Sequence, residues 1–232
     1  MILKMNSQVE LDPPRRPDDR YRIGITGGIG TGKTYVANQI HLLWGIPIYD
    51  TDREAKRLMV ESPAIREQLM ALVGPEAYLP TGQLNRDVIA EFLFSSAENA
   101  LKVNTIVHPV VRRDFIRWAD DYELTSIEAE LQHRLFRREI VAVESALLVE
   151  AHMTEVVDRV LQVTASLQTR LHRSMLRDGS SEQDVLERMA HQLTYTQRMP
   201  YVHHVIMNDE GVKDLPEQIE RFINFTRKEA DL

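Results

Sequence analysis

The 232-residue chain contains no cysteine. That excludes disulfides, thiolate metal sites and a thiol nucleophile, and it suits a reducing cytoplasm. No apolar run approaches the length of a membrane span, and the opening MILKM is too short for a signal-peptide core. Basic residues are the minority charge, 28 against 35 acidic, for a net charge of −7. This balance speaks against a protein that coats nucleic acid, while leaving room for a local basic cleft that takes an anionic substrate. The eight histidines have no metal-ligand spacing, and there is no internal repeat. What remains, with 43% hydrophobic residues, is enough for one large domain, or one core carrying inserted subdomains. Residues 1–20, proline-rich and polar after the first few, read as a flexible extension.

Glycine is also scarce, ten in all, yet five of the ten fall between Gly24 and Gly32. Such a cluster is entropically costly and needs a reason. A tight strand-to-helix turn is one. The sequence Gly27-x-x-x-x-Gly32-Lys33-Thr34 supplies another, because it fits the phosphate-cradling P-loop at every fixed position. YRIGIT before it reads as a short buried strand. TYVANQIHLLW after it has apolar residues Val36, Ile40, Leu43 and Trp44 at helical spacing. Backbone N–H groups of a side-chain-poor loop, followed by a helix N-terminus, bind phosphate oxygens. The nucleotide-binding residues expected here are Gly28, Ile29, Gly30, Thr31, Gly32, Lys33, Thr34 and Tyr35. Lys33 would reach the β- and γ-phosphates, and the Thr34 hydroxyl would ligate magnesium.

Further along, GIPIYD, EIVAVES, DRVLQVTA and HHVIMN read as four more strands. The separating segments are helical, which gives an α/β fold with a five-stranded parallel sheet covered on both faces. A block from Ser62 to about Arg138 reads as almost entirely helical, interrupted at His108-Pro109. Within it Leu124, Ile127, Leu131 and Leu135 predict one apolar helix face. Ser180-x-x-Gln183 predicts a capping box for a late helix.

Asp50-Thr51-Asp52 ends the second strand, at the carboxyl ends of the strands where α/β proteins bind ligands. A kinase needs a carboxylate there to take the proton of the attacking hydroxyl, although Asp and Thr also cap helices. Arg170, Arg173 and Arg177 share one helix face, either as a solvated stripe or as stabilisers of phosphoryl charge. Arg170 is expected nearer the solvent side. The strand IVAVES carries Glu144 where a P-loop enzyme's magnesium-supporting aspartate would be expected, with Glu150 following; either could support magnesium through water, and a polar strand end is the preferred reading of Glu144.

Together, GITGGIGTGKT, IPIYDTDREAKRLM, LNRDVIAEFLF, LKVNTIVHPVVR, ALLVE, the stretch LQTRLHRSMLRDGSSEQDVLERMAHQ and VIMNDEG resemble the dephospho-CoA kinases over nearly the whole chain after residue 20. The resemblance implies ATP-dependent phosphorylation of the ribose 3′-hydroxyl of dephospho-CoA, the last step of coenzyme A synthesis, with ATP and Mg2+ required. It implies a P-loop kinase core (21–52 with 139–165 and 201–232), a helical acceptor domain (53–118), a helical connector (119–138) and a lid (166–200). On motif position Asp52 is the expected base, and Lys33 and Arg173 are catalytic beside it. Arg177 is expected on the phosphates and Asn208 near the adenine. Thr26, Asp52, Arg86 and His108 are expected to contact the acceptor. The expected partners are the two small molecules alone, with no nucleic acid or membrane, in a cytoplasmic monomer or weak homo-oligomer. Ala146 stands where the family commonly has proline, and residues 120–138 match nothing in the resemblance. Another small-molecule P-loop kinase, with a nucleoside or nucleotide acceptor, is the rival reading. A non-catalytic nucleotide-binding switch is a second, although the guanine-reading Asn-Lys-x-Asp element is absent.

Overall fold

A computed structural model of the chain describes residues 20–209 and 214–230. The expected N-terminal extension lies outside these except for Arg20, whose guanidinium donates to Glu139 Oε2 at 2.6 Å and to the Ala119 carbonyl at 3.1 Å.

Five strands form one parallel sheet: β1 (Tyr21–Thr26), β2 (Ile48–Asp50), β3 (Ile140–Ser145), β4 (Arg159–Thr164) and β5 (His204–Met207). Their order across the sheet is β2-β3-β1-β4-β5. β1 is central, flanked in register by Tyr21 opposite Ile140 on one side and Ile23 opposite Arg159 on the other. Every residue of β1 and β3 is buried, as their β-branched runs lead one to expect of strands covered on both faces. Alternate side chains feed two cores. Ile140 and Ala142 join Ile23, Ile25 and Phe222 under α1 (Lys33–Trp44) and the last helix, α10 (Leu215–Ala230). Val141 and Val143 join Tyr49 and Phe115 under the helical insertion.

That insertion comprises α2 (Thr51–Glu61), α3 (Pro63–Val73), α4 (Arg86–Ser95), α5 (Ala97–Asp121) and α6 (Ser126–His133). Three details depart from the sequence reading. First, α5 is a single 25-residue helix that continues through Pro109, and it also crosses residue 118, where the domain boundary was expected. The proline removes one intrahelical donor, but Val103, Val107, Val111, Phe115 and Ala119 keep one buried stripe on both sides of it. Second, the buried residues of α6 are polar. Ile127 is exposed, while Glu128 and Gln132 are buried. Gln132 donates through Nε2 to the carbonyls of Gly45 and Ile140, both at 2.9 Å, and accepts the Ile140 N–H at 2.8 Å. It thus satisfies backbone groups that the sheet edge leaves over. Third, the late capping box forms one residue on, with Ser181 and Asp184, at the start of α8 (Glu182–Ala190).

Strand β2 is held to α5 by Tyr49, whose ring meets Phe115 edge-on at a centroid distance of 5.4 Å. Its hydroxyl donates to Asp114 Oδ2 at 2.7 Å. Burial, and then that carboxylate, push the phenol pKa far upward, so Tyr49 remains a donor. The strand end that presents Asp50 and Asp52 is therefore fixed from below.

Candidate active site

The P-loop turns on Gly30 and Gly32, both with φ near +79° (78° and 79°). Only glycine adopts that conformation without strain. Space demands it too. A Cβ on Gly30 would overlap the Arg170 carbonyl oxygen, and one on Gly32 would overlap the Asn208 side chain. The loop is also braced internally, since the Thr31 hydroxyl donates to the Gly28 carbonyl at 2.9 Å.

At the start of α1 the Thr34 hydroxyl donates to Glu144 Oε1 at 2.7 Å, and Lys33 Nζ lies 3.4 Å from the same oxygen. Glu144 is buried at the end of β3. It is thus a first neighbour of both P-loop functional groups, against the expectation of a mere polar strand end. The reason is the parallel register, which sets Glu144 beside Ile25 and so beside the loop that leaves β1. Thr34 and Glu144 are hard oxygen donors of the kind magnesium takes. The described residues hold no cluster of three or more acidic or histidine ligands. Magnesium usually completes its shell with water and substrate phosphate, so a donor pair of this kind fits the ion.

Asp50 and Asp52 differ in what their carboxylates meet. Asp50 is the N-cap of α2, with Oδ1 accepting from the N–H groups of Asp52 at 3.0 Å and Arg53 at 3.1 Å. Asp52 lines a cavity of about 960 Å³ together with Gly28, Gly30, Lys33 and Thr34. Leu93, Ala97, Ala100, Leu101 and Asn104 from α4 and α5 form another wall of it.

The segment expected as a lid supplies a further wall from α7 (Leu167–Asp178), α8 and the turn that precedes the short α9 (Tyr195–Arg198), with Ala146, Leu147 and Glu150 beside it. Arg173 and Arg177 both face the cavity. Arg173 donates to the Asn208 carbonyl at 2.7 Å. Arg177 forks onto Asp178 at 2.7 and 3.0 Å. Asp178 above all, with Asp52 adding to it, strengthens the hold of Arg177 on its proton. In turn Arg177, then Arg188, bring the Asp178 carboxyl down to about 2. Arg170, expected on the solvent side, instead turns inward and donates through Nε to the Ile29 carbonyl at 2.8 Å. Burial, then the neighbouring Arg198, lower its pKa.

Other expected site residues lie elsewhere. Arg86 is exposed at the start of α4, away from the cavity lining, and Tyr35 points outward at 55% exposure. Thr26 is fully buried, with no hydrogen-bond partner for its hydroxyl among the described residues. His108 lies one turn beyond Asn104 on α5. Burial lowers its pKa while Glu150 opposes the shift. The buried Asn208 side chain is committed to the P-loop, donating to the Thr31 carbonyl at 2.9 Å.

Arg188 and Gln192, which sequence reading did not single out, also line the cavity. Arg188 sits on α8 and Gln192 just after it, so no helical spacing links them in the sequence.

The sequence model of the family described as dephospho-CoA kinase matches residues 21–214. The chain belongs to the dephospho-CoA kinase family. A dephospho-CoA kinase of Bacteroides fragilis (strain YCH46) is 35% identical over 204 residues, covering 88% of this chain and 92% of its own length. The dephospho-CoA kinase of Porphyromonas gingivalis is 39% identical over 170 residues, covering 73% and 76%. Among solved structures, TT1252 from Thermus thermophilus aligns with a TM-score of 0.67 at 30% identity, over 91% of this chain and 98% of that one. A shikimate kinase from Acinetobacter baumannii, 16% identical with a TM-score of 0.53 and coverages of 90% and 96%, shares the fold alone. This dephospho-CoA kinase family member has the P-loop kinase sheet, and among the described residues no helix is long and apolar enough to cross a membrane.

Proposed function

We propose that the chain transfers the γ-phosphoryl group of ATP to the ribose 3′-hydroxyl of dephospho-CoA, with Asp52 as the base. The observation that carries this reading is one cavity bounded by three parts: the P-loop, a strand-end carboxylate and a helical lid bearing arginines, with the helical insertion closing it. The P-loop amides and Lys33 take the β- and γ-phosphates. Thr34 and Glu144 would hold magnesium, which neutralises phosphate charge when bound. Asp52 orients the acceptor hydroxyl and accepts its proton as the oxygen attacks phosphorus. The transition state is loose, so charge spreads over the equatorial oxygens. Arg173 and Arg177, from the lid, offer planar forks to those oxygens. The apolar wall of Leu93, Ala97, Ala100 and Leu101 suits the uncharged arm of a large acceptor better than a bare nucleoside.

The test is direct. The pure protein, magnesium and labelled ATP are incubated separately with dephospho-CoA, adenosine, AMP and uridine. Label should enter dephospho-CoA alone. Label in a nucleoside or in AMP, with none in dephospho-CoA, would move the chain to a different acceptor class.

A further inference from the structure

One P-loop residue, Ile29, is gripped by the lid on both of its backbone groups. Its carbonyl accepts from Arg170 Nε at 2.8 Å, and its N–H donates to Gln192 Oε1 at 2.9 Å. These two side chains come from different parts of the lid, the first turns of α7 and the segment just after α8. The packing around them is close. A Cβ on Gly28 would lie 2.6 Å from the Arg170 guanidinium and 3.5 Å from Gln192 Oε1. Gly30 meets the Arg170 backbone itself, and a Cβ there would lie 2.8 Å from Ser174 Oγ. Helix α7 therefore rests on the loop with no side chain between them. Arg173 and Arg177 follow Arg170 by about one and two turns of the same rigid helix.

We infer that Arg170 and Gln192 are positioning residues: their grip on the Ile29 backbone fixes helix α7 on the P-loop and so sets where Arg173 meets the transferring phosphoryl group. The inference rests on the reading of Arg173 given above. Arg170 is held there against an electrostatic cost, because it is half-buried with the cation of Arg198 nearby and, among the described residues, no carboxylate offsets it. What the placement supplies is an anchor from the helix to a backbone carbonyl, because a guanidinium Nε–H is a directional donor on a long stem. Gln192 completes the grip with an acceptor, which a carbonyl-only anchor lacks. Without both, α7 can slide along the glycines, and a displacement of 1 Å at a reacting group is enough to cost large factors in rate.

The experiment is a double-mutant cycle of Arg170→Met and Arg173→Met, read as kcat and KM for ATP and for dephospho-CoA. Thermal melts establish that each variant folds. If Arg170 acts through Arg173, Arg170→Met lowers kcat on the order of tenfold with each KM within about twofold. In the Arg173→Met background the same change costs clearly less than in the wild type, since the part transmitted through Arg173 is already gone and only the part through Arg177 remains. An undiminished kcat for Arg170→Met overturns the proposal, and so does the same fractional loss in both backgrounds. A near-normal rate for Arg173→Met overturns the reading of Arg173 and the proposal with it, so the two failures are distinct. Should Arg170→Met not fold, Gln192→Leu, which removes the other half of the grip, replaces it in the cycle with the same expected pattern.

Discussion

Replacing Asp52 and Asp50 by asparagine one at a time separates chemistry from architecture at two positions with one residue between them. Asp50 works through Oδ1, which caps α2 by accepting from two backbone N–H groups at 3.0 and 3.1 Å. Asparagine caps about as well as aspartate, so Asp50→Asn should melt near the wild type and turn over at a similar rate. Asp50→Ala, which removes the cap, should cost about 1 kcal/mol and lower the melting temperature by about 2–4 °C in a chain of this size. Asp52 caps nothing and faces the cavity beside Lys33 and Arg177. Its amide is nearly isosteric but cannot take a proton. A positioned base contributes about 10²- to 10⁴-fold, or about 2.7–5.5 kcal/mol at 1.36 kcal/mol per decade. Asp52→Asn should therefore lose that factor in kcat while binding ATP and dephospho-CoA with little change by calorimetry. A dead Asp50→Asn beside a normal Asp52→Asn would reverse the assignment of the base.

Lys33→Met should lower kcat by about 10²-fold or more, since it removes a cation aimed at developing phosphate charge, while circular dichroism stays native. Normal turnover would remove Lys33 from the phosphate site. Gln132→Leu should lower stability by about 2–5 kcal/mol in denaturant titration, because it strands buried backbone groups of Gly45 and Ile140. A loss below about 1 kcal/mol would mean that water replaces the amide. His108 and His204 are both held below the usual 6.5 by burial. Each takes a proton less readily in the folded chain than in the unfolded one. Their share of stability is thus complete above about pH 6.5 and declines as pH falls toward their lowered folded values. The double variant His108→Gln, His204→Gln should flatten stability against pH in that window, and an unchanged slope would assign it to other groups.

The parts of this molecule that were readable in sequence are those whose chemistry is local. The glycine cluster, Lys33 and Thr34 announce a phosphate loop because backbone conformation and residue type suffice. The runs around Ile23, Val141 and Leu161 announce buried strands because β-branched residues on both faces have few other uses. Asp52 was readable as one of a pair. The resemblance preferred it to Asp50, and the cap that occupies Asp50 is an observation that spacing cannot supply. Arg170 was misplaced for a comparable reason. Helical spacing put it on a face with Arg173, but not which neighbour that face meets. The neighbour is a loop with no side chains at the contact, invisible to apolar patterning. Glu128 and Gln132 were overlooked as interior residues because polarity argues for solvent unless backbone partners are known. Glu144 gained its place from strand order, a long-range property in which residues more than a hundred positions apart become neighbours.

The unbroken helix α5 couples distance to angle. Its 25 residues make a rod of about 37 Å at 1.5 Å per residue. One end is seated beside β2 through Phe115 and Trp118, where both rings meet Tyr49. The other end carries Ala97, Ala100, Leu101 and Asn104 of the cavity wall. A seat at one end and a wall at the other make a lever. A tilt of about 5° at the seat, over the roughly 25 Å that separates Phe115 from the wall, carries that wall by about 2 Å. Val103, Val107 and Val111, buried along the shaft between seat and wall, oppose such a tilt. The width of the cavity is therefore held by the whole buried stripe as well as by the aromatic rings at its far end.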